Sequence, residues 1–176
     1  MNGAGADALP VDVWLAIATI FLCVALSAFF SASETALTAA SRARMHALEK
    51  NGDRRAVLVN RLLASRARLI GTMLLGNTLV NIGSSALMTS ILVAVAGARG
   101  ALYATGIMTV ILLVFAEVMP KTVAINYPDR TSLLVARVTA FFVAVFGPVV
   151  IGLEVFVRGF LKVAGIDTSR RQSILS

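Results

Sequence analysis

The stretch from Leu26 to Ser41, LSAFFSASETALTAAS, begins inside an apolar run and ends at a cluster of basic residues. On a helix that turns about 100° per residue, one narrow face collects the polar side chains of Ser27, Ser31, Glu34 and Thr38. Alanine recurs beside them at every fourth position, at Ala28, Ala32, Ala36 and Ala40. Small residues at this spacing let a second transmembrane backbone come close. The stretch therefore predicts a membrane helix with an oxygen-lined face next to a close-packing face.

The bulk composition supports a membrane location. Of the 176 residues 58% are hydrophobic and 14% are charged, whereas about a quarter are charged in soluble domains. The fold class we expect is an all-α integral membrane protein. A net charge of +7 would also suit nucleic acid, but the cations cluster beside apolar spans, as the positive-inside rule describes, so we expect no nucleic-acid partner. The single cysteine, Cys23, excludes an internal disulfide and a multi-cysteine metal site.

Charge and length predict the topology. Residues 1–12 contain no Lys or Arg and are expected to be an extracytoplasmic tail. Residues 42–68 hold eight of the sixteen cations, which predicts a cytoplasmic loop and an N-terminus outside. Within this loop, apolar residues at helical spacing predict a short helix, lying either against anionic headgroups or with a solvated basic face. The three transmembrane helices of the domain at 13–165 are predicted at about 13–40, 69–98 and 101–124.

A fourth apolar stretch, Val138 to Leu153, has only sixteen residues, a Gly147-Pro148 break and cations on both flanks. Sixteen residues are marginal for a crossing. We therefore favour a juxtamembrane, belt-like helical pair or re-entrant segment at about 131–164 over a fourth crossing. Residues 166–176 are expected to be a linker, and the C-terminus to be cytoplasmic.

The second and third spans supply further polar groups. Asn77 and Asn81 are four residues apart and Ser84 follows three later, so they share a helix face that Gly76 and Gly83 open to a neighbouring helix. In the third span Glu117 precedes Pro120, which removes the helical hydrogen bond to the Ala116 carbonyl. Hydroxyl, amide, carboxylate and carbonyl oxygens are ligands for Mg²⁺, Ca²⁺, Mn²⁺ or Na⁺ rather than for zinc or copper.

Two other interpretations stay open on the residues alone. Glu34 can pair with Arg42 or Lys121, and Glu117 with Lys121, which would explain the carboxylates as ion pairs; the serines and asparagines can be hydrogen-bonding contacts between helices. Ser33 lies about 120° away from the face of Ser27 and would join it only through a π-bulge. The sequence has no HExxH motif and no nucleophile elbow, so we do not expect an enzyme.

Three ordered motifs then identify a resemblance. SASETALTAAS at 31–41, GNTLVNIGSSAL at 76–87, and FAEVMPKTVA at 115–124 followed by NYPDR resemble the transmembrane domain of the CorC and cyclin M (CNNM) magnesium transporters. The resemblance implies a homodimer with three transmembrane helices and a belt-like pair, followed by a cytoplasmic nucleotide-binding CBS-pair module that this chain lacks. ATP would bind only through that module. The chain thus resembles an excised membrane domain.

The resemblance also implies Mg²⁺ transport, usually described as efflux, with sodium coupling proposed. Carried over by motif, the metal ligands would be Ser27, Ser31, Ser33, Asn77, Asn81 and Glu117, with Gly76 contributing backbone. Glu34, Pro120 and Lys121 would support or gate the site. The alternative is a membrane anchor or divalent-ion sensor that dimerises and presents a cytoplasmic regulatory domain. The expected location is the plasma or inner membrane.

Overall fold

A computed structural model describes residues 9–163, with side chains from residue 13 to residue 160. Within that range the chain is helical and has no strand. The helices are α1 (Leu9–Ala39), α2 (Arg42–Lys50), α3 (Arg54–Ala64), α4 (Arg66–Ala96), α5 (Ala98–Ile111), a π-helical segment (Leu112–Val118), α6 (Met119–Asn126) and α7 (Pro128–Val163). Most of the predicted tail and the whole predicted linker at 166–176 lie outside the described residues, although residues 9–12 already belong to α1.

Four helical stretches are long and apolar enough to cross a membrane: Val13–Ala39, Arg66–Ala96, Ala98–Asn126 and Pro128–Phe160. The all-α membrane fold is therefore confirmed. The first three stretches match the predicted spans within a few residues, and the third consists of α5, the π-helical segment and α6. A sharp turn at Gly97, with φ of +61°, joins α4 to α5, and this is a backbone conformation that glycine adopts without strain.

Helix α1 is the central helix, since it contacts α4, the π-helical segment, α6 and α7. Its closest approach is to α4, where the buried Phe30 ring lies over Gly76. A Cβ atom on residue 76 would stand 2.6 Å from the ring Cζ, so only glycine fits there. Ala36 and Ala40 of the predicted close-packing face are buried as well.

Helices α2 and α3 form a short hairpin at one end of the bundle, which we call the basic end. Asp53 caps α3 by accepting from the Arg55 backbone N–H, and the hydrogen-bonded Arg55 guanidinium lowers the pKa of the Asp53 carboxyl. The apolar face of α3, formed by Val59, Leu62 and Leu63, is buried in the main hydrophobic cluster. The predicted loop helix therefore packs on the bundle, and its apolar side faces neither headgroups nor water.

Helix α7 corrects one detail of the prediction: the expected helical pair is a single helix that continues through Pro148. The Asp129 carboxylate, near its start, accepts from the Ser41 N–H at 3.0 Å and pairs with Arg44 at 3.2 Å. Some 21 residues later, after about 32 Å of helix, Val150 packs on Gly71, only five residues into α4.

The start of α7 and Val150 thus lie near the basic ends of other helices, whereas Phe142 between them contacts Phe30. Its later residues line one groove with Ala67 and Ile70, again near the start of α4. A helix that crossed the bundle from Ser41 would by then have reached the opposite end of α4. Helix α7 is also long and apolar enough for a fourth crossing, so its belt-like or re-entrant course stays a prediction.

Candidate ion site between the transmembrane helices

The polar faces of α1 and α4 meet at Ser27 and Asn77. The Ser27 hydroxyl donates to Asn77 Oδ1 at 2.5 Å, and Asn81 Nδ2 donates to the same oxygen at 3.5 Å. Ser27 is completely buried, and both asparagines are half-buried. Three of the predicted site residues therefore form one hydrogen-bonded group between the two helices.

Two further oxygen atoms beside this group have no hydrogen-bond partner in the described part of the chain: Ser31 Oγ and Asn81 Oδ1. Ser31 is only 1% exposed. A buried acceptor left without a partner costs about 1–3 kcal/mol, and such atoms in a native structure call for a ligand, a water molecule or a functional role. By contrast, the Ser84 hydroxyl donates to the Asn81 carbonyl of its own helix.

Glu117 lies in the π-helical segment, which contacts α1. An apolar cavity of about 520 Å³ is lined by both Ala28 and Phe115. Ser31 follows Ala28 by three residues and Glu117 follows Phe115 by two, and both helices lead towards the basic end. The half-buried Glu117 carboxylate consequently lies at the depth of Ser31.

The structure has a π-helical segment, but it is not in α1, where a π-bulge would be needed to bring Ser33 to the face of Ser27. Helix α1 is α-helical without interruption from Leu9 to Ala39, so Ser33 stays on the far side of the helix, about 160° from Ser31. The π turns instead cover residues 112–118, where the Met119 N–H reaches the Val114 carbonyl. π-helical turns are frequent at functional sites, and Pro120, just after this one, is the sequence signal that could have located it.

The ion-pair interpretation is not seen in the structure. Across the described side chains, residues 13–160, the ion pairs are Arg44–Asp129, Arg55–Asp53 and Arg158–Glu154, and His46 Nδ1 lies 3.5 Å from the Glu49 carboxylate. None involves Glu34, Glu117 or Lys121. Glu34 is half-buried on the face of Ser27 and Ser31, one turn nearer the basic end, and Lys121 is exposed.

Gly76 and Pro120 have structural settings that are compatible with the roles expected of them. Gly76 is buried and makes room for the Phe30 ring next to Asn77. Pro120 is the second residue of α6 and lies half-buried three positions after Glu117. No cluster of three or more His, Cys, Asp or Glu side chains occurs in the described residues. Neutral oxygens would therefore supply most of any coordination shell.

Comparison with known proteins identifies the family. The model of the cyclin M transmembrane N-terminal domain matches residues 17–176. The chain belongs to this family. Its relatives include the UPF0053 inner membrane protein YfjD of Escherichia coli, 39% identical over 81% of this chain, and a UPF0053 protein of Haemophilus influenzae, 31% identical over 97% of it. A chloroplastic DUF21 domain-containing protein of Arabidopsis thaliana is 34% identical over 80% of the chain.

These relatives are longer than the cyclin M domain described here. The matched region covers 33% of the Escherichia coli protein, 40% of the Haemophilus protein and 21% of the Arabidopsis protein. The family match thus concerns a membrane domain that in these relatives is one part of a larger polypeptide.

Proposed function

We propose that this cyclin M domain transports Mg²⁺ through a dehydrating site between α1, α4 and the π-helical segment. The observation that carries the proposal is the pair of buried, unpartnered oxygens, Ser31 Oγ and Asn81 Oδ1, beside the Ser27–Asn77 hydrogen bond. Glu117 would add the one negative charge at the same depth. Gly76 would contribute backbone oxygen, and Glu34, Pro120 and Lys121 would line or gate the approach from the basic end.

The chemistry of these groups fits a hard, strongly hydrated cation. Mg²⁺ takes six oxygen ligands at about 2.0–2.1 Å and gives up water reluctantly, so selecting it requires several fixed protein oxygens. A lone carboxylate in the membrane costs about 2.5–3.5 kcal/mol on insertion scales. A bound cation would offset this cost, and it would also take up the unpartnered lone pairs of Ser31 and Asn81.

Other parts of the proposal rest on the family resemblance. They are efflux as the direction, Na⁺ as a coupling ion, a homodimer in the plasma or inner membrane, and a following CBS-pair module that binds ATP. The eight cations at the basic end support a cytoplasmic position for that end. Mass measurement and cross-linking in nanodiscs test the dimer, and a monomer by both methods would refute it.

A second candidate function is favoured by the small share of the relatives that the chain covers. The domain could serve as a membrane anchor or ion sensor that presents the remainder of a longer protein. Liposomes loaded with a Mg²⁺-sensitive dye separate the two functions. Transport predicts a Mg²⁺ gradient-driven signal that Asn81→Ala abolishes, with Ser132→Ala as the control, because Ser132 is a buried polar residue whose hydroxyl donates to the Asp129 carbonyl. An anchor predicts no flux from either protein.

A further inference from the structure

Three buried hydroxyl groups lie outside the proposed ion site, one on each of three helices: Ser33 on α1, Thr72 on α4 and Thr139 on α7. Each residue is completely buried. Within the described residues, none of the three hydroxyl oxygens has a hydrogen-bond partner. Buried polar atoms are nearly always paired, so three such atoms in one small domain call for a common explanation.

The two threonines do not make the hydrogen bond that six of the other threonines in the described residues make. Six helical threonines donate to the carbonyl four residues earlier, at 2.7–2.9 Å: Thr19, Thr38, Thr89, Thr105, Thr109 and Thr122. That bond is the usual way for a threonine to satisfy its hydroxyl inside an apolar helix. Thr72 and Thr139 make no such bond within the described residues.

Two sets of helix contacts place these threonines near the level of Ser33. From Asp129 to Phe142, α7 runs in the opposite direction to α1, with Asp129 bonded to Ser41 and the Phe142 ring centroid 4.8 Å from that of Phe30. Thr139 lies three residues before Phe142 and Ser33 lies three residues after Phe30, so each is about one turn from the aromatic pair on the side of the Asp129–Ser41 contact. Helices α1 and α4 are also antiparallel, through Ser27–Asn77 and Phe30–Gly76. Thr72 lies four residues before Gly76, and Ser33 lies three residues after Phe30, so the two are at about the same level along the antiparallel helices.

The helix faces agree with the registers on α7 and α4. At about 100° per residue, Thr139 lies between the direction of Phe142, which contacts α1, and that of Val150, which contacts α4.

On α4, Thr72 lies between Gly76, which contacts α1, and Gly71, which contacts α7. On α1, Ser33 follows Phe30, whose ring touches both Gly76 and Phe142. Helix geometry thus places all three residues on the faces that meet at the junction of α1, α4 and α7.

We propose that Ser33, Thr72 and Thr139 bind one buried water molecule, which joins α7 to α1 and α4. A buried water needs two to four polar partners, and three neutral hydroxyls supply them. The surroundings are otherwise apolar, since Phe30, Leu37, Met73 and Val135 belong to the same buried cluster. No carboxylate is among the three groups, so a divalent cation has no charge to attract it there.

This water site assigns Ser33 to the contact of the belt-like helix rather than to ion coordination. The Phe30 ring, seated on Gly76, lies between the junction and the Ser27–Asn77 pair. The water would fix α7 against the two helices that hold the ion-site oxygens, while taking no part in binding the ion.

Thr72→Val and Thr139→Val test the shared water, singly and together, by thermal unfolding in detergent. Each should lower the Tm by about 2–4 °C, the shift expected when a domain of this size loses about one buried hydrogen bond. The double variant should lose less than the sum, because both threonines bind the same molecule. Thr89→Val is the matched control, since its hydroxyl bonds to the Ser85 carbonyl. If the hydroxyls hold no common water, both substitutions would raise the Tm, and that result overturns the proposal.

The separation from the ion site has its own test. Mg²⁺ should raise the Tm of Ser33→Ala and Thr139→Val as much as that of the wild type, while Ser31→Ala should lose the effect. Loss of the Mg²⁺ effect in Ser33→Ala would return Ser33 to the ion site. If Na⁺ but not choline stabilises the wild type, and Thr139→Val abolishes this effect, then the junction binds a cation instead of a water molecule. If Mg²⁺ does not raise the Tm of the wild type, Mg²⁺ binding is refuted. The water proposal is then still tested by the non-additive Tm changes of Thr72→Val and Thr139→Val.

Discussion

Replacing Gly76 by alanine should separate α1 from α4 at the point where the ion-site residues meet. The new Cβ would stand 2.6 Å from Phe30 Cζ and 2.9 Å from both Cε atoms, whereas carbon atoms pack at about 3.5–4.0 Å. The ring must therefore move by about 1 Å. It cannot swing aside, because Phe30 is 2% exposed and packs on both Phe29 and Phe142.

The change in unfolding free energy expected for Gly76→Ala has two opposing terms. Overpacking a filled core costs about 1–3 kcal/mol, and alanine regains up to about 1 kcal/mol over glycine inside a helix. Gly83→Ala isolates the second term, since residue 83 is on the same helix and its Cβ would meet no atom within 4 Å. The difference in unfolding free energy between the two variants should therefore be about 1–3 kcal/mol.

Thermal unfolding in a mild detergent, with and without Mg²⁺, is the assay. Gly76→Ala should be less stable than Gly83→Ala and should lose part of the Mg²⁺ effect, because Ser27 and Asn77 move apart. Adding Phe30→Leu should restore stability to Gly76→Ala, although the same change destabilises the wild type. Equal stability of the two alanine variants, or no rescue by Phe30→Leu, would refute the packing described for α1 and α4.

Two further predictions concern the turns and the topology. Gly100→Ala should lower the Tm by more than Gly106→Ala, because a Cβ at residue 100 would overlap the Leu92 carbonyl oxygen while residue 106 faces open space; equal Tm values would disprove the close α4–α5 turn. In a Cys23→Ala background, Gly52→Cys in the α2–α3 hairpin should react with a membrane-impermeant thiol reagent only from the cytoplasmic side, and Gly97→Cys only from outside. The opposite pattern would reverse the proposed orientation.

Much of the bundle could be predicted from the sequence, because hydrocarbon requires long uncharged helices and favours buried polar faces. The uncharged runs determine α1 and α4, and the four-residue spacing of Asn77 and Asn81 places both on the face that meets Ser27. The depth of Glu117 follows less directly, since it depends on how the third span packs on α1.

The remaining features depend on contacts that no local pattern encodes. Gly147-Pro148 predicts a break, but α7 continues through it, with Val150 packed on Gly71 and the Arg68 side chain over Gly147. Pro120 predicts a perturbed third span without showing that the perturbation is a π-helical segment. Thr72 and Thr139 look like ordinary residues of apolar runs, and only their burial and missing partners distinguish them.

Direct Mg²⁺ binding tests the central claim, because a ligand that binds only the folded state stabilises it by about 2.7 kcal/mol at a hundredfold excess over its Kd. The measurement is the Mg²⁺-dependent Tm of the wild type beside Ser31→Ala, Asn81→Ala and Glu117→Gln, with Ser132→Ala as the control. We predict that Mg²⁺ stabilises the wild type and the control more than Ca²⁺ does, and that the three site variants lose most of this gain. Equal stabilisation of all five proteins, with Ca²⁺ as effective as Mg²⁺, would contradict the proposed site.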